Sequence, residues 1–213
     1  MMEFKGKKVF ILAPHTDDGE LGCGGSIVRM LEEGAQVYYV AFSTAEQSVP
    51  KEFPRNQLEI EVKLATKVLG IDPSHLIIYK HEVRKLNYVR QEILENLILL
   101  RQQYHPDIIF IPSTRDIHQD HTTVAFEAIR AFKTKTIFGY ELIWNNIDFK
   151  TNAFIALTQT HVEKKIEALK EYKTQIGRDY MNPDFIRSQT IVRGTQVGVK
   201  YAEAFELIRT VIN

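Results

Sequence analysis

Cysteine is nearly missing from the 213-residue chain, and the single Cys23 has no partner for an internal disulfide. That fits a reducing compartment and removes a disulfide framework as a source of stability. Flanked by Gly22 and Gly24, Cys23 reads as a small packing residue rather than a thiol nucleophile. Net charge is missing as well: 27 Lys+Arg balance 27 Asp+Glu, which speaks against nucleic acid or an acidic membrane surface as partner and for a neutral small substrate. No apolar run is long enough to cross a bilayer. Lys5, Lys7 and Lys8 precede an apolar stretch as in a secretory leader, but that stretch is too short and runs straight into polar residues, so a cytoplasmic protein is expected. Repeats, low-complexity segments and linkers are absent too. With 44% hydrophobic residues, the expectation is one domain over 1–213 with one substantial core.

What is present is a strand and helix alternation carrying two polar clusters. Val9-Phe10-Ile11-Leu12 reads as a buried strand and delivers Pro14-His15-Thr16-Asp17-Asp18 to the start of a helix marked by Ile27, Val28 and Leu31. Gly34 ends that helix, and Gln36–Ser43 gives the second strand. Leu58, Val62, Ala65 and Leu69 mark a helix stopped by Gly70, before a third strand at His75–Tyr79. Val89, Ile93, Leu97, Leu100 and Tyr104 draw one face of the next helix, closed by His105-Pro106, and the fourth strand is Ile108–Ile111. The second cluster, Asp116-Ile117-His118-Gln119-Asp120-His121, follows it, then a helix over Thr122–Phe132 and a strand over Thr136–Leu142. Beyond these, Ala153–Thr158 reads as a strand, Val162, Ile166 and Leu169 as a helix, Asp179–Thr195 as a cap over the sheet end, and Ala202, Phe205, Ile208 and Arg209 as a last helix.

This alternation predicts an α/β fold: a Rossmann-like three-layer sandwich with a mostly parallel sheet of core order 3-2-1-4-5 and a C-terminal extension over the site. In that order strands one and four are neighbours where the winding reverses, so two clusters about a hundred positions apart meet at the sheet's carboxyl edge. Adjacent aspartates beside a histidine are by themselves ordinary helix-cap and loop residues. The second cluster is what turns them into a site.

Together the clusters offer His15, His118 and His121 with Asp17, Asp18, Asp116 and Asp120, and no cysteine. Nitrogen and oxygen donors of this kind suit zinc, and also iron(II), manganese or cobalt. Hydrolysis needs the metal, because a carboxylate with a pKa of about 4 cannot deprotonate bulk water, whereas zinc-bound water has a pKa of about 7. Chemistry alone leaves open which aspartate is ligand and which is base.

The two motifs resemble those of the LmbE-like (PIG-L) superfamily of metal-dependent N-acetylglucosaminyl deacetylases. Pro14–Gly25 stands against Ala-His-Pro-Asp-Asp-Glu-Glu-Leu-Gly-Cys-Gly-Gly, and Asp116–His121 against Asp-x-His-Pro-Asp-His. Tyr172-Lys173-Thr174-Gln175 is similar to the family's Tyr-x-Ser-Gln. The resemblance implies that His15, Asp18 and His121 bind zinc, that Asp17 is the general base, and that His118 stabilises the oxyanion or protonates the leaving amine, with Asp120 holding its ring; Asp116 is left to stand behind the ligands. The same resemblance implies a zinc-dependent N-deacetylase acting on an N-acetylated sugar or sugar conjugate, with oligomeric state left open. The chain departs from the pattern at Thr16, Gly19 and Gln119, and Leu58 stands where the family often has a substrate-contacting arginine. Arg55, one turn earlier, is the expected substitute, and Trp144 a candidate to stack on a sugar face. Two rival readings are an iron(II) enzyme using the same His/Asp/His set and a metal-containing sugar-binding protein of weakened activity.

Overall fold

Strand β1 (Lys8–Ala13) is buried from Val9 onward because it lies mid-sheet, with strands on both sides and helices on both faces. The structure, a computed structural model, describes residues 3–211. Seven strands follow the order β3-β2-β1-β4-β5-β7-β6. The first five, β1 with β2 (Gln36–Ala41), β3 (Leu76–Ile78), β4 (Ile108–Pro112) and β5 (Thr136–Tyr140), are parallel in the expected 3-2-1-4-5 order. Strands β6 (Ala153–Leu157) and β7 (Tyr201–Arg209) extend it, β7 running antiparallel to both β5 and β6.

Helices α1 (Asp18–Glu32), α2 (Gln57–Leu69) and α5 (Gln159–Leu169) cover one face, burying Ile27, Val62 and Ile166 against Val9, Ile11 and Tyr39. Helices α3 (Arg90–Tyr104) and α4 (Gln119–Ala131) cover the other, where Ile93, Leu97, Val124 and Ala128 meet Phe10, Leu12 and Val40. Gly70 stops α2 as expected: at φ +91 its N–H returns to Lys67 O and Ile71 N–H to Thr66 O, a left-handed closure that glycine adopts without steric cost.

The glycine run of α1 serves close packing. A Cβ at Gly22 would sit 2.3 Å from the Tyr140 ring, at Gly24 2.7 Å from Lys165 Cγ, and at Gly25 2.6 Å from Leu157. The helix therefore seats directly on β5, β6 and α5, and its first turn is held firmly at the sheet edge.

The last element differs from expectation. Ala202, Phe205, Ile208 and Arg209 lie on strand β7, not on a helix. Their three-residue spacing suits a helix face, and two buried glutamates of opposite parity disguise the strand's period of two. Glu203 meets Lys165 on one face, and Glu206 meets Ser113 and Thr114 on the other. A central strand buried on both faces carries no alternation to read. Of the stretch expected as a cap, Tyr180 reaches the site, whereas α6 (Pro183–Gln196) packs beside β7 and α5.

Lys165 and Glu203 form a buried ion pair at 2.7 Å that ties α5 and β7 to α1. Lys165 Nζ also donates to Leu21 O at 2.7 Å, and Glu203 accepts from Gly25 N at 3.1 Å and Ser26 N at 2.7 Å. Lys165→Met strands a buried carboxylate and should cost about 3–5 kcal/mol in urea unfolding, while adding Glu203→Leu should recover part of the loss. A single-variant cost below about 1 kcal/mol would mean the pair is not the tie described.

Candidate active site

Parallel pairing of β1 with β4, with Ile11 opposite Phe110, makes both strands end side by side. From β1 the chain turns through Pro14, His15 and Thr16 into α1, whose N-cap is Asp17. From β4 it turns through residues 113–118 into α4, whose N-cap His118 accepts from Asp120 N through Nδ1 at 3.2 Å. Glu206 steadies the second turn, accepting from Ser113 Oγ at 3.0 Å and Thr114 N at 3.2 Å. Asp18 and Asp120 thus occupy first helical turns, where the helix dipole favours negative charge.

Three atoms from the two turns form a nearly equilateral triangle. His15 Nδ1 lies 3.2 Å from Asp18 Oδ2, His121 Nε2 lies 3.2 Å from the same oxygen, and the two nitrogens are 3.2 Å apart. Four-coordinate zinc with ligands at 2.0–2.2 Å separates its donors by roughly 3.3 Å, so this spacing fits a cation bound between them. The opposite nitrogen of each ring is held by a carboxylate: His15 Nε2 donates to Asp120 Oδ2 at 2.9 Å and His121 Nδ1 to Asp116 Oδ2 at 2.7 Å. Those bonds fix the ring orientations and leave His15 Nδ1 and His121 Nε2 as the lone-pair atoms once each ring sheds its second proton. The imidazoles of His15, His118 and His121 form a wider group, one nitrogen of each within 4.8 Å of the others.

The charges respond to this packing. Burial alone would push the His15 and His121 imidazoles down, but the Asp18 carboxylate, with Asp120 on one ring and Asp116 on the other, raises them to about 9 and about 10. Burial would raise Asp18, and the two imidazoles instead hold it well below the usual carboxylate range. Asp17, without such partners, is raised to about 6 by burial and by the neighbouring Asp18 charge. His118 is lowered to about 4 by burial and by the His121 and His15 charges, so it is neutral near pH 7. With Nδ1 accepting from the backbone, its proton sits on Nε2.

His15, Asp17, Asp18, His118 and His121 line one pocket of about 310 Å³ with Thr16, Leu21, Leu58, Val83, Arg84, Trp144, Arg178 and Tyr180, and Asp116 and Asp120 stand behind it. Residues 10–132, more than half of the chain, match the PIG-L family, described as GlcNAc-PI de-N-acetylase. The chain belongs to the PIG-L family. It is 23% identical to the diacetylchitobiose deacetylase of Thermococcus kodakarensis over 95% of this chain and 83% of that protein. The conserved protein TT1542 of Thermus thermophilus superposes with a TM-score of 0.82 at 24% identity, covering 97% of each chain. GalB, the 4-carboxy-2-hydroxymuconate hydratase of Pseudomonas putida, superposes with a TM-score of 0.76 at 15% identity, covering 97% of this chain and 98% of that one. A fold shared with a hydratase does not select the reaction, so the site residues must.

Against the PIG-L pattern, Asp120 is a correction. Its carboxylate holds the His15 ring rather than that of His118, because it points back toward β1 and also accepts from Arg84 N at 2.6 Å and Leu86 N at 3.2 Å. Asp116 stands behind His121. Arg55 is exposed and does not line this pocket; Leu58, at the position of the family's helix arginine, lines it as an apolar wall. Trp144 does line the pocket, with one ring face covered by Tyr180 at 4.2 Å. Arg84 and Arg178 were not legible beforehand: they stand in loops without motif or periodicity, and only the fold brings them to the pocket, whereas Tyr180 comes from the stretch expected as a cap.

Gly19, where the PIG-L motif has glutamate, is explained by Tyr39. A Cβ there would lie 2.5 Å from the Tyr39 ring, which is fully buried, and Gly19 N donates to Tyr39 Oη at 3.1 Å. The Tyr39 and Tyr172 hydroxyls each lie within hydrogen-bond distance of both Thr16 O and the buried Glu20 carboxyl, bracing the loop that carries Asp17. Gly19→Ala should therefore cost about 1–3 kcal/mol in denaturant unfolding through overpacking, and a neutral result would show that Tyr39 has room to move.

Proposed function

We propose that this PIG-L protein is a metal-dependent hydrolase that removes an N-acetyl group from a small molecule containing an amino sugar. The observation that carries the reading is the 3.2 Å triangle of His15, Asp18 and His121 with Asp17 and His118 beside it in one pocket. Two imidazole nitrogens and one carboxylate oxygen, without thiolate, suit zinc, with iron(II) the main competitor. Deacetylase relatives support the reaction class.

In this reading His15, Asp18 and His121 would hold the cation, with Asp120 and Asp116 aiming the two rings. A bound divalent cation supplies Lewis acidity toward the attacking water and the amide carbonyl. Asp17, ionised near neutral pH, takes the proton from the attacking water. His118, neutral and carrying its proton on Nε2, donates a hydrogen bond to the oxygen that becomes negative in the tetrahedral intermediate. The proton held on Asp17 is then returned to the leaving amine nitrogen, which completes cleavage of the C–N bond.

Asp17→Asn should keep the metal and lose turnover by about 100-fold or more, read as acetate and free amine from N-acetylated sugars. His121→Ala should lose metal and turnover together. His118→Ala should keep the metal and lose most activity; metal loss there, with metal retained in Asp18→Ala, would transfer the site to the three imidazoles. Because Asp17 must be ionised and its carboxyl is raised to about 6, turnover should fall as pH drops through about 6, and lower still once the cation's charge acts on it. Metal uptake near pH 7 should release protons from His15 and His121 and weaken toward acid, which calorimetry in buffers of different ionisation enthalpy measures.

A further inference from the structure

Two exposed guanidinium groups line the pocket, and neither has a carboxylate of the described residues within salt-bridge distance, Arg178 acting on Asp17 only at longer range. Arg84 reaches only Ser48 Oγ at 3.4 Å, and Arg178 lies over the Tyr180 ring at 5.8 Å from its centroid. Elsewhere among the described residues arginines are mostly paired: Arg29 with Glu33, Arg90 and Arg130 with Glu127, Arg187 with Glu163 and Arg193 with Glu141.

Arg84 is moreover held at its backbone. Its φ of +66 lies in the left-handed region, which a residue with a long side chain enters at a cost and keeps only where its surroundings enforce it. The enforcing contact is its own N–H, which donates to Asp120 Oδ2 at 2.6 Å, with Leu86 N on the other oxygen at 3.2 Å. The same carboxylate aims His15, so the root of the Arg84 side chain is registered to the candidate metal triangle. Glycine or asparagine would satisfy that backbone more easily, yet the chain carries a long cationic side chain there.

The pocket is thus carboxylate-lined at Asp17 and Asp18 and cationic at Arg84 and Arg178. Planar guanidinium groups match carboxylates and phosphates with paired N–H donors. We propose that the substrate bears an anionic group, a carboxylate or a phosphate, bound by Arg84 and Arg178 while its N-acetyl group lies at Asp17 and His118. This rests on the hydrolase reading for the orientation of the substrate. The neutral substrate expected from balanced net charge gives way to the local field, since the whole-chain balance conceals two unpaired cations in one pocket.

The test is calorimetric binding to the metal-loaded Asp17→Asn protein. The probes are N-acetylglucosamine 6-phosphate, N-acetylglucosamine 1-phosphate and N-acetylmuramic acid, against neutral N-acetylglucosamine and N,N′-diacetylchitobiose. At least one anionic probe should bind about tenfold or more tightly than the neutral ones, and the phosphate and carboxylate arms tell which anion is preferred. Added Arg84→Ala or Arg178→Ala should remove about tenfold of that advantage without changing neutral binding, high salt should erode it, and Lys133→Ala, on the exposed surface before β5, should not. Equal or absent binding of the anionic probes, or an advantage that survives both arginine substitutions, overturns the inference. Acetate release by the unsubstituted protein separates the two readings: release without anionic preference overturns only this inference, and anionic preference without release overturns only the hydrolase.

Discussion

One carboxylate oxygen, Asp18 Oδ2, is shared at 3.2 Å by two imidazoles that enter from different strands. Each imidazole is backed by a further buried carboxylate, so three aspartates, Asp18, Asp116 and Asp120, surround two rings. Such a cluster needs positive charge, because isolated buried carboxylates are costly. Two imidazolium protons supply it, and a divalent cation with two neutral rings supplies the same amount. That equivalence explains why the ring pKa values rise so far, and why a metal can displace the protons without changing the charge the surrounding protein must accommodate.

The fold is organised to hold this charge at one point. Reversal of winding between β1 and β4 sets two helix N-termini side by side, each with an aspartate in its first turn. The glycine face of α1 seats that helix on Tyr140, Lys165 and Leu157, and Lys165 with Glu203 locks it there. Behind Asp17, burial pushes the Glu20 carboxyl up to about 8 despite its bonds to Tyr39 and Tyr172. It is therefore mostly neutral near pH 7 and adds little negative charge beside Asp17 and Asp18, while still bracing the loop.

The parallel half of the sheet and the two clusters were legible because local signals agreed: continuous apolar runs for buried strands, amphipathic spacing for α2 and α3, and polar motifs closing the first and fourth strands. The C-terminal quarter was less so. Strand β7 reads as a helix because Ala202, Glu203, Ala204 and Leu207 favour one, and its glutamates find buried partners that no local rule announces. The site was half legible for the same reason. His15, Asp17, Asp18, His118 and His121 stand in motifs, whereas the partner of Asp120 depends on a side-chain direction that the fold alone decides. Arg84 lines the pocket and Arg55 does not, because proximity in sequence to a pocket-lining helix says nothing about which loop faces the pocket.

Asp120 joins the two halves of the reading. Its carboxylate receives His15 Nε2, Arg84 N and Leu86 N, so the ring proposed to bind metal and the loop proposed to bind an anion end on the same two oxygens. An ionised carboxylate has acceptor capacity for all three, and each added donor lowers its tendency to take up a proton, consistent with a pKa held below the ordinary value against the effect of burial. Movement of the Arg84 backbone cannot then occur without altering the field at His15. Recognition at the proposed anion-binding end and charge at the proposed metal end would then be coupled through a single buried group, a tighter link than two sites that merely share a pocket.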